Sequence, residues 1–335
     1  MCAIKDPVFK NKRETIKMNK AKILVTGIIP EAGLTELKEN FKVVHAPEHE
    51  TRKWVLAHLS EYEGLILIGM KGDRELIDAG TNLKIITASG VGYDHIDIDY
   101  AKQKGIVVAN CPKSVLVPTA EMTFALLLAT VRRLHFYDKN IRQGKWVNVS
   151  KPENMGTGLQ GKTLGIYGMG RIGSEVAKYA QVFGMKVIYH NRHQLASEVE
   201  KAEHVSYVDF DTLVKTSDVI TLHAPALPST TGVFNSKVFK QMKKTAYIIN
   251  AARGQLINQN DLISALKNGE IAGAGLDVYE TEPQVPQALC ELDNVVLAPH
   301  AGTGTLEART ETAKEASRNL ISYLCDHKAL NQVNE

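Results

Sequence analysis

Short apolar runs without polar alternation punctuate this chain, and they limit its fold more than any other feature. Ile23-Leu-Val-Thr26, Leu65-Ile-Leu-Ile68, Ile85-Ile-Thr-Ala88 and Ile106-Val-Val-Ala109 recur through the first third, separated by amphipathic stretches. A strand with one wet face alternates polar and apolar residues; a strand without alternation is covered on both faces. The pattern therefore predicts parallel sheets between layers of helices, an α/β fold. From Pro118 to about Arg142 the spacing changes: Ala120, Phe124, Leu127, Leu128 and Val131 recur at helical intervals and predict one long helix. After a loop from Ser150 to Gly158 the strand series resumes with Leu164-Gly-Ile-Tyr167, Val187-Ile-Tyr189, Val205-Ser-Tyr-Val208, Val219-Ile-Thr-Leu222, Tyr247-Ile-Ile249 and Val295-Val-Leu297. Thr305 to Leu324 reads as a terminal amphipathic helix. The 335 residues have room for two ordinary domains. The expectation is two doubly wound Rossmann-like domains, each with a parallel sheet.

Composition narrows the classes of partner. A formal net charge of +3 does not favour nucleic acid or an anionic membrane surface. No apolar stretch approaches the ~20 residues of a membrane span. The four cysteines (Cys2, Cys111, Cys290 and Cys325) include no C-x-x-C, which reads as reduced thiols in a cytoplasmic protein, and no metal-ligand spacing is present. Residues 1–19 are rich in Lys and Arg and are not followed by an apolar segment, so they read as an N-terminal extension and not as a secretory signal.

The second strand series carries the chemistry. Gly168-Met-Gly170-Arg171-Ile172-Gly173 is a G-x-G-x-x-G between a buried strand and a helix. In that setting the first glycine permits the tight turn, the second admits a pyrophosphate, and the third lets helix and strand pack closely. The helix N-terminus then faces the phosphates with free N–H groups. The corresponding turn of the first half, Thr26 to Gly33, lacks the spacing and is interrupted by Pro30, so the dinucleotide is assigned to the second half. The next strand ends in His190-Asn191-Arg192-His193, without the acid that would bind a ribose 2′-hydroxyl. The missing carboxylate together with Arg192, which can pair with a 2′-phosphate, favours NADP(H) over NAD(H).

Five motifs then stand in order: Ala88-Ser-Gly-Val-Gly-Tyr-Asp94, the glycine loop, Asn250-Ala-Ala-Arg-Gly254, Gly275-Leu-Asp-Val-Tyr-Glu-Thr-Glu-Pro283 and Ala298-Pro-His-Ala-Gly-Thr303. Each by itself also fits a bland turn or strand end; their order carries the inference. With them the chain resembles the D-isomer-specific 2-hydroxyacid dehydrogenase family, from about Lys22 to Leu324. The resemblance implies hydride transfer between a nicotinamide dinucleotide and a small 2-oxo or 2-hydroxy acid, with Arg253, Glu282 and His300 as the catalytic set. The chemistry suits these residue types. An arginine can hold a carboxylate and polarise the adjacent carbonyl. A histidine can give the proton that the carbonyl oxygen needs. An acid behind the imidazole can favour its protonated form. Glu280 competes with Glu282 for that place, and the family spacing from Asp277 favours Glu282.

The resemblance implies more. Val91 and Gly92 would bind the substrate carboxylate through their backbone. Asp277 would bond the nicotinamide carboxamide. Arg171 and Ile172 would lie over the pyrophosphate, and His223-Ala224-Pro225, Thr230, Ala251 and Ala252 would line the cofactor. The dinucleotide-binding domain, residues 118–303, would be inserted into a discontinuous substrate domain of residues 20–117 and 304–335, with a cleft that closes between them. The helix after Pro118 would help form a two-fold homodimer, with Trp146 packed beside it. Arg192 points to the glyoxylate/hydroxypyruvate reductase branch. The alternatives are a D-lactate or D-2-hydroxyisocaproate dehydrogenase, a phosphoglycerate dehydrogenase (many of which carry a further regulatory domain), and a dinucleotide-sensing regulator of the same fold. Formate dehydrogenases have glutamine where Glu282 stands.

Overall fold

The computed structural model describes residues 20–49 and 51–335; the expected N-terminal extension lies outside them. The chain builds two sheets whose ladders all run parallel. The first contains β1 (Lys22–Val25), β2 (Lys42–His45), β3 (Gly64–Leu67), β4 (Ile85–Ala88) and β5 (Val107–Ala109), in the order β2-β1-β3-β4-β5. The second contains β6 (Thr163–Tyr167), β7 (Lys186–His190), β8 (Ser206–Tyr207), β9 (Val219–Leu222), β10 (Tyr247–Asn250), β11 (Gly273–Leu276) and β12 (Val295–Leu297), in the order β12-β11-β10-β9-β6-β7-β8. Every residue of β3, β4, β9, β10 and β11 is buried, as strands covered on both faces require. In the second sheet the chain runs outward from β6 through β7 to β8, then returns to β9 on the other side of β6. The crevice between the carboxyl ends of β6 and β9 is therefore the topological switch point, where such sheets place ligands.

Two strands escaped the sequence pattern. β2 lies at an edge and is nowhere fully buried, so its residues carry no long apolar run. β11 reads Gly-Ala-Gly-Leu, with no β-branched residue. The helix Leu116–Val131 explains why. It packs directly over β11, where a Cβ on Gly275 would lie 2.7 Å from Thr130 Oγ1. Side-chain bulk there is excluded by the helix, and the β-strand signal with it.

The single long helix expected from Pro118 to Arg142 is in fact two helices, Leu116–Val131 and Leu134–Arg142. Arg133 at the junction has φ 56°, which no continuing helix accepts. The loop that follows causes the break. Thr157 N–H donates to the Val131 carbonyl at 2.7 Å, and the Arg133 guanidinium donates to the Glu153 carbonyl at 2.6 Å. Tertiary hydrogen bonds take over the carbonyl that the next helical turn would have used.

The terminal helix Leu306–Asp326 crosses back to the first sheet. Ala313, Ala316 and Leu320 are buried there with Ile23, Val25 and Ile66. Gly33 allows this contact, since any side chain at that position would overlap Ala313. The last residues pair with the sheet edge: Val333 N–H donates to Val108 O, and Asn334 accepts from Val108 N–H and donates to Ile106 O. No helix among the described residues is long and apolar enough to cross a membrane.

Candidate active site

The glycine loop turns out of β6 at the switch point. Gly168 has φ +102°, and a Cβ there would lie 2.6 Å from Ala224 N at the end of β9, so only glycine closes this turn. Gly170 caps the helix Arg171–Val182, and a Cβ on it would meet nothing within 4 Å. That open approach to a helix N-terminus is what a pyrophosphate requires. Gly173 packs on the Gly168 carbonyl, bringing helix and strand together. These residues fit a dinucleotide.

The surrounding positions divide into free and committed groups. Asn191 accepts from Met169 N–H at 2.6 Å and donates to Met169 O at 3.2 Å, so its side chain braces the glycine loop. Arg192 and Arg171 are exposed and form no ion pair among the described residues. Ile172 is half-buried beside the loop. Thr230 turns its hydroxyl inward, donating to Pro225 O and accepting from Leu227 N–H, and so fixes the loop that follows Ala224. His223, between β9 and that loop, meets Thr221 Oγ1 at 2.9 Å, and burial pushes its imidazole down to about 3.

Arg253, Glu282 and His300 follow the carboxyl ends of three adjacent strands, β10, β11 and β12. Asn250 organises the first turn: its side chain accepts from Ala252 N–H and donates to Arg253 O, while Ala251 is buried beneath. Asp277 organises the other two. Its main-chain carbonyl accepts from His300 N–H at 2.8 Å, and its Oδ1 accepts from Ala301 N–H at 2.7 Å. Its Oδ2 is buried without a partner. Burial pushes this carboxyl above the usual carboxylate range, against the pull of the Ala301 amide and of His300. A buried, unpaired acceptor awaits a donor from outside the chain, and the amide of a nicotinamide is one.

Glu282 Oε1 accepts from Tyr279 N–H at 3.0 Å, and Oε2 lies 2.7 Å from His300 Nδ1. Glu280 is exposed and sends no side chain to His300. From the first sheet, the loop after β4 brings Val91 and Gly92 across. Asn110 holds the Val91 carbonyl at 2.8 Å, and Gly92 lies so close to the Arg253 guanidinium that any side chain there would overlap it. Arg253 itself is met by Asp94, a residue to which the sequence reading gave no role although it closes one of the quoted motifs. No group of metal-binding side chains occurs among the described residues.

Two parallel sheets, a glycine loop at a switch point and a carboxylate–imidazole pair one strand end away from an arginine fit a nucleotide-dependent oxidoreductase. Comparison with known proteins gives the family. The NAD binding domain of the D-isomer specific 2-hydroxyacid dehydrogenases matches residues 124–302. A glyoxylate reductase of Thermococcus litoralis is 42% identical over 323 residues, covering 94% of this chain and 97% of that one. A glyoxylate reductase structure from Paecilomyes thermophila superposes with a TM-score of 0.85 at 35% identity, covering 94% and 99% of the two chains. An NADPH-dependent glyoxylate/hydroxypyruvate reductase from Sinorhizobium meliloti, solved with NADP and malonate, gives 0.83 at 32% identity, covering 94% and 97%. The chain belongs to the D-isomer specific 2-hydroxyacid dehydrogenase family and is an NAD(P)-dependent oxidoreductase.

Proposed function

We propose that this enzyme reduces a small 2-oxo acid of the glyoxylate or hydroxypyruvate type to the D-2-hydroxy acid, with NADPH preferred over NADH. The observation that carries this reading is the His300–Glu282 pair, 2.7 Å apart, on strand ends adjacent to Arg253. The names of the relatives support the substrate class, and exposed Arg192 with no acid beside it supports the 2′-phosphate.

When bound, the nicotinamide supplies the hydride. Arg253 binds the substrate carboxylate and draws electron density toward the carbonyl oxygen. The amides of Val91 and Gly92 take part of the carboxylate from the opposite wall. His300 gives its proton to the carbonyl oxygen, and Glu282 stabilises the imidazolium and fixes the ring. Asp277 would accept from the carboxamide, and Gly168, Gly170, Arg171, Ile172 and Gly173 would hold the pyrophosphate. Ala224, Pro225, Ala251 and Ala252 would line the cofactor, and Asn191 and Thr230 would shape the loops that do so. We assign residues 20–117 and 304–335 to the substrate domain and 118–303 to the cofactor domain, with closure excluding water. The enzyme works as a cytoplasmic homodimer.

The test is loss of NADPH or NADH absorbance with a panel of 2-oxo acids: glyoxylate, hydroxypyruvate, pyruvate, 2-oxoisocaproate and phenylpyruvate. Fastest turnover of the two smallest polar acids with NADPH is expected. Tight dinucleotide binding without turnover of any acid overturns the reading and leaves a dinucleotide sensor.

A further inference from the structure

Asp94 and Arg253 lie 159 residues apart in sequence and come from loops at the carboxyl ends of different sheets, after β4 and β10. Their contact is specific in form. Nε of Arg253 donates to Oδ1 of Asp94 at 2.9 Å, and Nη2 approaches the same oxygen at 2.9 Å. Nη1 donates to the Ala252 carbonyl at 2.7 Å. A guanidinium has five N–H donors in a rigid plane. Asp94 lies against the side edge formed by Nε and Nη2, bonded through Nε, and Ala252 takes one donor of Nη1. Neither terminal nitrogen has both of its donors taken by these two contacts, and the end edge they form can donate to a carboxylate in bidentate fashion.

We infer that Asp94 is a positioning residue, which holds Arg253 by its side edge so that the end edge is presented to the substrate. This rests on the reading of Arg253 as the substrate anchor. An arginine free at its tip samples many rotamers, and ordering it on binding weakens affinity. Held from the loop after β4, it is ordered in advance. Burial opposes the charge of Asp94, but the Arg253 charge and hydrogen bond outweigh it and hold the carboxyl below its usual range, so the bridge persists at neutral pH.

The contact geometry sets a graded test. Both Arg253 nitrogens meet one oxygen, which Asp94→Asn retains as a neutral acceptor and Asp94→Ala removes. For glyoxylate with NADPH, kcat/KM is expected to fall about ten- to a hundredfold in the alanine variant and only a fewfold in the asparagine variant. NADPH affinity and melting temperature should stay at wild-type values, which a merely structural role would not allow. Binding of oxamate, a non-reducible 2-oxo acid analogue, should weaken in the same order. Alanine and wild type alike in oxamate affinity, or tighter oxamate binding by alanine, overturn the inference. If wild type reduces no 2-oxo acid, the functional reading fails by itself, and the oxamate titration still decides the role of Asp94.

Discussion

His300 Nδ1 lies 2.7 Å from Glu282 Oε2, and the other oxygen of that carboxylate is fixed by the Tyr279 amide at 3.0 Å. The imidazole is thus oriented before any ligand binds, with Nε2 left without a partner among the described residues. His300→Ala is expected to lower kcat by about 10²–10⁴ while leaving NADPH affinity nearly unchanged. Glu282→Gln exchanges the carboxylate at His300 Nδ1 for a neutral amide, so kcat should fall about tenfold or more while NADPH affinity holds. Rapid-reaction kinetics and NADPH titration check both; a fully active His300→Ala would remove His300 from the proton-donor role.

Arg192 is exposed just past the end of β7 and forms no ion pair among the described residues. Arg192→Ala should weaken NADPH by about tenfold or more, the scale of a lost charge-assisted hydrogen bond, and NADH little. Fluorescence titration with both dinucleotides decides it. Equal weakening would take away the basis for the NADP(H) preference.

Gly254 lies so near Tyr279 that any Cβ would overlap its carbonyl group. The Tyr279 amide is what holds Glu282, so the Arg253 and Glu282 turns are in contact through this glycine. Gly254→Ala should destabilise the fold by about 1–3 kcal/mol and lower kcat/KM as the Glu282 turn is pushed away. Calorimetry and steady-state kinetics measure the two effects. Wild-type values for both would show that the turn can yield.

His223 binds its proton in the unfolded chain near the ordinary 6.5 but in the folded protein only near 3. Its contribution to stability is therefore complete above pH 6.5 and is lost as pH falls from there toward 3. Between about pH 5 and 6.5 this term lowers the melting temperature as pH falls. His95 and His135, both pushed down by burial, add to the same slope. His223→Gln should flatten the slope without abolishing it; an unchanged slope would count against the desolvated neutral imidazole.

Leu134 and Ile141 are exposed and stand two turns apart on the helix Leu134–Arg142, hence on one face, and Trp146 just beyond is 90% exposed. The same helix is anchored to its own chain through His135 and Lys139, which reach Asp293. An apolar face left open on an anchored helix fits the proposed dimer. Sedimentation at twice the chain mass is expected for wild type, and at the single chain mass for Leu134→Asp/Ile141→Asp. A monomeric wild type would refute the assembly.

The sequence by itself determined the parallel α/β class, because strands buried on both faces must be apolar along nearly their whole length, as β3 is. It also determined the glycine loop, whose three positions are local consequences of one turn, and the succession Arg253, Glu282, His300, carried by motifs each confined to one strand end. Tertiary structure decided what depends on packing between distant segments. Gly275 lacks a strand residue's bulk because a helix lies on it, and the helix breaks at Arg133 because Thr157 claims the Val131 carbonyl while Glu153 O holds the Arg133 guanidinium. Glu282 and not Glu280 reaches His300 because the Tyr279 amide turns it inward. Asp94 meets Arg253 because the loops after β4 and β10, from different sheets, converge. A contact between residues 159 positions apart leaves no periodicity or spacing in the chain, so only the folded arrangement discloses it.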